Sequence, residues 1–451
     1  MYCAQFSDLL SDLDSRFSYR SALIEERNGW KVEVSFHELH ERVRTMALQL
    51  LADPCLTVGI CANPCIDWVV LAFASVLAEK RTVLIDPALS SQKIQKLIDY
   101  AHVERLYVND ALDFNTLVLN DRFSLQKKID LSGNCSGKFV FFTSGTESPF
   151  KAVVLSQQAL LNNARHWNHL LPCTEYDVLL CALPLSHIYG FEGNLLWPLM
   201  GGTSVALGRG WNSLSIDPRF FMPTVMSVVP SMLKYMLDTK SINERLRTIV
   251  VGASSCDTKT LELAKSRGVD IRSGYGLTET GGGIALSCKD EDFATLALCP
   301  DTTVRIGEDG EIFVRTSSMM DGYLVDNVVS PEALFDGEFA TGDLGFVDEN
   351  GRLHLQGRKK DLLVLDNGEK IPCLEWEEAL TNLLHAETAV VLRDGKPFAI
   401  VFSSMLDKVA AWKEIEAFNA VQGKNQQIAA LELRSTPLPR TELGKLQRWL
   451  L

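Results

Sequence analysis

Apolar and polar positions over the first three quarters of the chain alternate between strand-like and helix-like periods. Near the start, the pattern predicts a strand, a helix, a strand, a helix and a strand at Leu56–Cys61, Trp68–Glu79, Thr82–Ile85, Ser91–Ala101 and Arg105–Val108. Strands that alternate with helices in this way are typical of parallel sheets covered by helices. We therefore predict an α/β fold with parallel sheets in a large N-terminal domain.

The pattern changes after residue 298, where short alternating segments replace the apolar runs. Thr303–Ile306 and Glu311–Thr316 flank an Asp-Gly turn, and Leu344–Val347 and Leu353–Gln356 flank an Asn-Gly turn, which predicts two hairpins in a small antiparallel β unit. A basic stretch begins at Gly357, and the segments beyond it predict an α+β module. We place the domain boundary there, with domains at 1–357 and 358–451.

Composition narrows the class of protein. The chain has 451 residues, of which 46% are hydrophobic and 22% charged, as expected for a folded globular protein. A net charge of −13 without a basic stripe disfavours a nucleic-acid binder. We expect a cytoplasmic protein, because no apolar run approaches the ~20 residues that span a bilayer and the N-terminus lacks a secretory pattern. The 11 scattered cysteines contain no Cys-x-x-Cys pair, so we expect reduced, mostly buried thiols.

The segment from 139 to 154 carries the most informative motif, an apolar strand followed by a hydroxyl-rich turn, a lysine and a second apolar strand. The turn residues and the lysine are Thr143, Ser144, Gly145, Thr146 and Lys151. Backbone amides, hydroxyls and an ammonium group in one loop are suited to bind phosphate oxygens. The segment does not match the P-loop nucleotide motif, since Phe150 precedes the lysine. An ordinary polar hairpin turn is the alternative interpretation.

Four later segments add chemistry. Tyr275, Thr278 and Glu279 offer a ring for a base, a hydroxyl for a phosphate and a carboxylate for Mg²⁺. A carboxylate suited to the two ribose hydroxyls, a bidentate donor and a lysine on a glycine-containing turn follow at Asp343, Arg358 and Lys445. Singly, each has a structural alternative, such as a turn former for Asp343 and a solvated charge for Lys445.

Together and in this order, these segments resemble the motifs of the adenylate-forming superfamily, which includes acyl-CoA and aryl-CoA synthetases, nonribosomal adenylation domains and luciferases. The resemblance extends from Ser35 to Arg448. It implies a two-step ligase reaction, in which a carboxylate attacks the α-phosphorus of ATP to give an acyl-adenylate and pyrophosphate, and a thiol then takes the acyl group. Mg²⁺, the loop donors and a lysine are expected to neutralise the developing charge. No feature supports a luciferase-like oxidase.

The resemblance also implies roles for individual residues. The five loop residues named above would hold the β- and γ-phosphates, and Thr278 and Glu279 the α-phosphate and the metal. Asp343 and Arg358 would hold the ribose. The residues expected beside adenine are Tyr275, Gly252 and Ala253.

Two lysines of the C-terminal domain receive roles in the same way. Lys445 would bridge the carboxylate and the phosphate during adenylation. Lys360 stands at the hinge about which the family's C-terminal domain rotates between the two steps, replacing Lys445 by the loop 365–368 near the thiol. Simple solvation is the alternative for Lys360.

The phosphate loop departs from the family pattern at three positions. Ser148, Phe150 and Ala152 stand where the family usually has glycine, proline and glycine. We expect activity, because the hydroxyls and Lys151 are present, but with altered loop flexibility and ATP affinity. The alternative is a catalytically impaired adenylate-forming fold that binds nucleotide or acyl-adenylate.

The segment 183–191 resembles the part of the family that lines the acid pocket, where His187 would meet the incoming carboxylate. An α-amino acid is disfavoured, because 184–193 holds no aspartate for an α-ammonium group. The glycines at 281–283 leave room for an aryl ring or an acyl tail, or they simply permit a turn. The long-chain acyl ligases are similar in the segment that begins at Gly357.

The resemblance implies a thiol acceptor, which would be CoA or the phosphopantetheine arm of an acyl carrier protein, in a fatty-acid-like or polyketide-like pathway. A carrier would meet basic side chains at Arg434, Arg440, Lys445 and Arg448. The remaining histidines that invite a metal hypothesis are expected to lie on helix surfaces; they are His37, His40, His166 and His169.

Overall fold

The structure, a computed structural model, describes residues 5–108, 137–143, 150–289, 291–359, 362–365, 370–423, 426–440, 446 and 448–451. Its helices are α1 Phe6–Phe17, α2 Phe36–Ala52, α3 Ile66–Leu77, α4 Ser91–Tyr100, α5 Gln157–Leu170, α6 Ile188–Phe191, α7 Trp197–Met200, α8 Asp217–Phe221, α9 Pro230–Asp238, α10 Thr258–Lys265, α11 Cys373–Leu384 and α12 Lys408–Asn419. A π-helical turn covers Glu192–Leu196, and a 3₁₀ turn covers Thr278–Thr280.

The strands are β1 Ser21–Arg27, β2 Trp30–Ser35, β3 Thr57–Ile60, β4 Arg81–Leu84, β5 Arg105–Tyr107, β6 Lys138–Thr143, β7 Lys151–Ser156, β8 Val178–Cys181, β9 Ser204–Leu207, β10 Val225–Val228, β11 Thr248–Val251, β12 Asp270–Leu277, β13 Gly282–Ser287, β14 Thr295–Leu298, β15 Thr303–Ile306, β16 Glu311–Arg315, β17 Gly322–Val325, β18 Val328–Ser330, β19 Leu334–Phe335, β20 Glu338–Val347, β21 Leu353–Arg358, β22 Leu362–Val364, β23 Lys370–Pro372, β24 Glu387–Arg393, β25 Lys396–Phe402 and β26 Ala430–Arg434.

The chain folds into two compact units. The first comprises Met1–Arg305, Phe313–Thr341 and Val347–His354, and the second comprises Ile306–Ile312, Gly342–Phe346 and Leu355–Leu451. The sequence-based boundary at 357/358 stays a prediction.

Two sheets build the first unit. One has the order β18-β17-β7-β6-β4-β3-β5, in which β6, β4, β3 and β5 are parallel and β7, β17 and β18 are added antiparallel. In the other, β12, β11, β10, β8, β9 and β1 run parallel, and β2, β13 and β14 are antiparallel additions. The predicted α/β class with parallel sheets is confirmed.

Buried aromatic rings connect the first sheet to the segment after β8. The ring of Phe139 on β6 lies 4.9 Å from that of Phe191 and 5.8 Å from that of Phe6. Phe141, two residues further along the same face, lies 5.5 Å from Phe191. Residues two apart on a strand share a face, so the predicted phosphate strand and the predicted acid segment share one core.

The second unit has a small core of its own. Within it, β24 pairs antiparallel with β25, and β25 pairs parallel with β26. Trp376 on α11 packs edge-on against Phe418 on α12, with ring centroids 5.2 Å apart. The α+β pattern predicted for this part of the chain is therefore present. Within the described ranges, no helix has the length and apolar character needed to cross a bilayer.

Candidate active site

The predicted phosphate segment folds as the hairpin β6–β7, in which Thr143 and Lys151 face each other across the open end. The loop between them, with Ser144, Gly145, Thr146 and Ser148, lies outside the described residues. Phe150, which replaces the family's proline, packs edge-on against Tyr100, with centroids 4.9 Å apart, and against Phe142 at 5.7 Å. The departure at 150 thus anchors the base of the loop by aromatic contacts.

Lys151 and Glu279 contact one and the same side chain, Tyr323 on β17. The hydroxyl of Tyr323 donates to Oε1 of Glu279 at 2.8 Å, and the Lys151 ammonium lies 4.9 Å from the centroid of the Tyr323 ring. Burial first, and then the adjacent carboxylate, raise the pKa of Tyr323, so the phenol keeps its proton and donates. Tyr323, which joins two of the predicted motifs, is not among the residues predicted from the sequence.

Local backbone features place Thr278 and Glu279 at this point. The pairing of β12 with β13 shifts register between Tyr275 and Gly276, which re-aims the side chains that follow. A Cβ at Gly276 would lie 2.1 Å from the carbonyl oxygen of Gly282, so only glycine fits there. The 3₁₀ turn that carries both residues comes directly after β12.

The residues predicted beside adenine lie at the ends of β11 and β12. Gly252 follows β11, and a Cβ there would lie 2.9 Å from Cζ of Tyr189. Tyr189 in turn donates its hydroxyl to the carbonyl of Val250 at 2.9 Å. Ala253 is exposed and has a φ of 67°, the left-handed region that side chains other than glycine rarely adopt. Gly252 is therefore tightly packed against Tyr189, whereas the next residue, Ala253, is exposed to solvent.

Asp343 and Arg358, the predicted ribose pair, are in direct contact within the second unit. Oδ1 of Asp343 lies 2.8 Å from Nε of Arg358, and the Asp343 carboxylate is buried. Carboxylates that accept charged donors are held in a defined orientation.

His187 stands at the start of α6, and its Nε2 lies 3.2 Å from Oδ2 of Asp86. Burial is the largest influence on Asp86 and acts to raise its pKa, but the bonds from His187 and from the Ala88 amide lower the pKa below its usual 3.8. A charged Asp86 therefore orients the imidazole ring. Sequence reasoning missed Asp86 because it lies 101 residues away from its partner.

The π-helical turn after α6 buries two polar side chains. Glu192 is 3% exposed and Asn194 is fully buried, and none of their side-chain polar atoms has a hydrogen-bond partner among the described residues. Burial raises the pKa of Glu192 well above 4.5, because desolvation disfavours the charged carboxylate. Short π-helical segments within helices frequently occur at functional sites.

The glycines at 281–283 serve the packing of this same region. Gly281 has a φ of 71° at the end of the 3₁₀ turn, as the turn interpretation requires. A Cβ at Gly282 would lie 2.7 Å from Oδ1 of Asn163, and one at Gly283 would lie 2.0 Å from Nε1 of Trp167. The space beside Gly282 and Gly283 in the Cβ direction is thus filled by α5.

The expectation that His166 lies on a helix surface is wrong. Helix α5 is buried around most of its circumference, and His166 is 4% exposed. Burial lowers the pKa of His166. His169 and His37 are exposed as expected, and His40 is half-buried. Both His37 and His40 place Nδ1 within hydrogen-bond distance of Asp14.

Three further predictions fall outside the described residues. They concern Lys445, the hinge residue Lys360 and the loop residues 366–368. Their roles stay predictions.

Comparison with known proteins decides the family. The family model described as "AMP-binding enzyme" matches residues 15–324, which is most of the chain. The chain belongs to the AMP-binding enzyme family. The predicted resemblance is confirmed, and the matched range includes Thr143, Lys151, His187, Glu279 and Tyr323.

Relatives of this AMP-binding enzyme match over most of its length. A protein of Listeria innocua named 2-succinylbenzoate–CoA ligase is 29% identical over 402 residues, covering 81% of this chain and 82% of its own. O-succinylbenzoate CoA synthetase of Bacillus subtilis, solved with the acyl-adenylate intermediate, superposes with a TM-score of 0.84 at 23% identity and covers 98% of this chain and 96% of its own. The same enzyme solved with ATP and a magnesium ion gives a TM-score of 0.83 at 24% identity, with 98% of each chain covered.

Proposed function

We propose that the protein is an ATP-dependent, AMP-forming acid–CoA ligase. The observation that carries the proposal is the convergence of Lys151 and Glu279 on Tyr323, because it brings the lysine of the phosphate hairpin and the carboxylate of a separate motif to one point. A cation for phosphate oxygens and a carboxylate for a metal ion are what transfer at a triphosphate requires.

In the first step, a carboxylate oxygen of the acid bonds to the α-phosphorus of ATP, the bond from that phosphorus to the bridging oxygen breaks, and pyrophosphate leaves. Lys151 and the Thr143 hydroxyl neutralise charge on the leaving phosphates, and Thr278 donates to the α-phosphate. Lys445 bridges the two anionic reactants, the carboxylate of the acid and the phosphate of ATP. Preorganised donors of this kind typically contribute a factor of ~10²–10³ each to the rate.

Glu279 fits a magnesium site. Among the described residues its bond to Tyr323 uses only Oε1, so the second carboxylate oxygen is available as a ligand. One or two carboxylates together with phosphate oxygens are the usual ligands of Mg²⁺. When bound, Mg²⁺ shields the phosphate charge and polarises the oxygens of the reacting phosphate.

In the second step, the thiol sulfur of CoA bonds to the acyl carbon, the carbon–oxygen bond to the phosphate breaks, the thiol proton leaves to solvent, and AMP departs. Because the relatives are named as CoA ligases, we propose CoA as the acceptor. The phosphopantetheine arm of a carrier protein is the competing acceptor. A cytoplasmic location suits a reaction on ATP and CoA and stays a prediction.

We further propose an aryl acid as the substrate. Support comes from the names of the relatives, 2-succinylbenzoate–CoA ligase and, in Aromatoleum aromaticum, indoleacetate–CoA ligase. The lack of an aspartate between 184 and 193 is consistent with an acid that has no α-ammonium group.

The test is the release of pyrophosphate from purified protein with MgATP and a panel of aryl, short-chain and long-chain acids, with and without CoA. We expect release that depends on an aryl acid and is lost in Lys445→Ala, but is kept in Lys413→Ala, a matched change at an exposed lysine of α12. Bound ATP without release for any acid would contradict the ligase proposal and support the nucleotide-binding alternative.

A further inference from the structure

We propose that Glu311 is a positioning residue for the Asp343–Arg358 pair. Its carboxylate contacts the residue next to each of them in the sequence. Oε1 of Glu311 accepts a hydrogen bond from the Gly342 amide at 3.1 Å, and Oε2 lies 2.7 Å from Nζ of Lys359. Gly342 directly precedes Asp343, and Lys359 directly follows Arg358. The inference rests on the proposed function, in which this pair holds the ribose.

The contact with Gly342 bears on the direction of the Asp343 side chain. Gly342 has a φ of 71° within β20, a conformation that favours glycine and turns the chain just before Asp343. The backbone of a glycine in this conformation is restricted only by its hydrogen bonds and its neighbours. By accepting a hydrogen bond from the Gly342 amide, the Glu311 carboxylate fixes the backbone position from which the Asp343 side chain projects.

The contact with Lys359 fixes the backbone next to Arg358 in the same way. The Lys359 ammonium also lies 2.7 Å from Oδ2 of Asp309, so two carboxylates of the 306–312 segment hold it. The bonds to Asp309 and then to Glu311 raise the pKa of Lys359, so it is charged across the physiological range. The end of β21 that carries Arg358 is thus tied to the same carboxylate that holds Gly342.

The Glu311 carboxylate is more buried than the groups of an ordinary surface ion pair, while its partner Lys359 is 49% exposed. The Glu311 side chain is 11% exposed and both of its oxygens accept a bond, whereas exposed pairs contribute little to structure. A buried carboxylate with one bond on each side is geometrically suited to hold two strands in one relative position.

The test measures binding of AMP and of 2′-deoxy-AMP by titration calorimetry, which needs no knowledge of the acid. We expect the wild type to prefer AMP by about tenfold or more, because the Asp343 carboxylate accepts a ribose hydroxyl. Glu311→Ala should reduce this preference by roughly threefold or more, and Glu311→Gln, which keeps an acceptor for the Gly342 amide, should retain part of it. Glu432→Ala is the matched control, since Glu432 pairs with Arg393 and Arg434 elsewhere in the second unit.

The outcomes separate the two proposals. If Asp343→Asn keeps the wild-type preference, the proposed ribose role fails. If Asp343→Asn loses the preference while Glu311→Ala keeps it and weakens both nucleotides equally, the positioning role of Glu311 is overturned. Should Glu311→Ala not fold, Lys359→Met decides: a reduced preference for AMP supports the positioning role of Glu311, and an unchanged preference contradicts it.

Discussion

The phosphate side and the acid side of the first unit satisfy their polar groups in different ways. On the phosphate side, the exposed Lys151 and the half-buried Glu279 both contact Tyr323. On the acid side, His187 pairs with Asp86, and the side-chain oxygens of Glu192 have no hydrogen-bond partner among the described residues. Lys151 on the phosphate side is thus exposed, whereas on the acid side His187 is half-buried and Glu192 lies inside the core. In the proposed reaction the triphosphate is the same whichever acid is used, whereas the acid differs.

The largest expected effect is on the phosphate side. Lys151→Met should lower the rate of acid-dependent pyrophosphate release by ~10²–10³, because a preorganised donor to the phosphate oxygens is lost. Lys96→Met, at an exposed lysine of α4, is the matched control. A rate that falls no further in Lys151→Met than in the control would remove Lys151 from the proposed machinery.

A smaller effect, confined to one substrate, is expected at Asp86. Asp86→Asn removes the charge that orients His187, so the KM for the acid should rise by about fivefold, the equivalent of one net hydrogen bond. The KM for MgATP should stay as in the wild type. If both KM values rose together, Asp86 would act on the fold rather than on the acid side.

The smallest effect on the rate, but a distinct effect on stability, is expected at Glu192. Burial raises the pKa of Glu192 in the folded state well above the 4.5 of an exposed glutamate, so the folded state binds this proton more tightly. The contribution of Glu192 to the free energy of unfolding should therefore be fully present below pH 4.5 and be lost as the pH rises above it, by about 1.4 kcal/mol per pH unit between the two pKa values.

Glu192→Gln keeps the shape of the side chain and removes this titration. Denaturant unfolding of both proteins at several pH values should show that the variant gains stability relative to the wild type as the pH rises. A difference between the two proteins that does not depend on pH would mean that Glu192 is ionised in the folded state.

The fold was predictable where local patterns determine it. The first five predicted helices and strands agree with the structure to within two residues, because hydrophobic periodicity is a local property of the chain. The phosphate hairpin followed from the same reasoning, since two apolar strands flank a polar turn. Asp343 and Arg358 were predicted from their residue types and from the order of the motifs along the chain. The structure places these two side chains in contact.

The partners of the site residues were not predictable, because they come from distant parts of the chain. Tyr323 is 44 residues from Glu279, and Asp86 is 101 residues from His187. The incorrect prediction for His166 has a related cause. A polar residue on a helix predicts an exposed face only where one side of the helix is free, and α5 is covered on most sides.

One measurement tests the central claim most directly: mass spectrometry of the products formed from MgATP, CoA and a panel of acids that includes 2-succinylbenzoate. The proposed function predicts AMP together with a CoA thioester of an aryl acid, and an acyl-adenylate when CoA is left out. If no acid gives an adenylate or a thioester while the protein binds AMP, the claim that this AMP-binding enzyme is an acid–CoA ligase is contradicted.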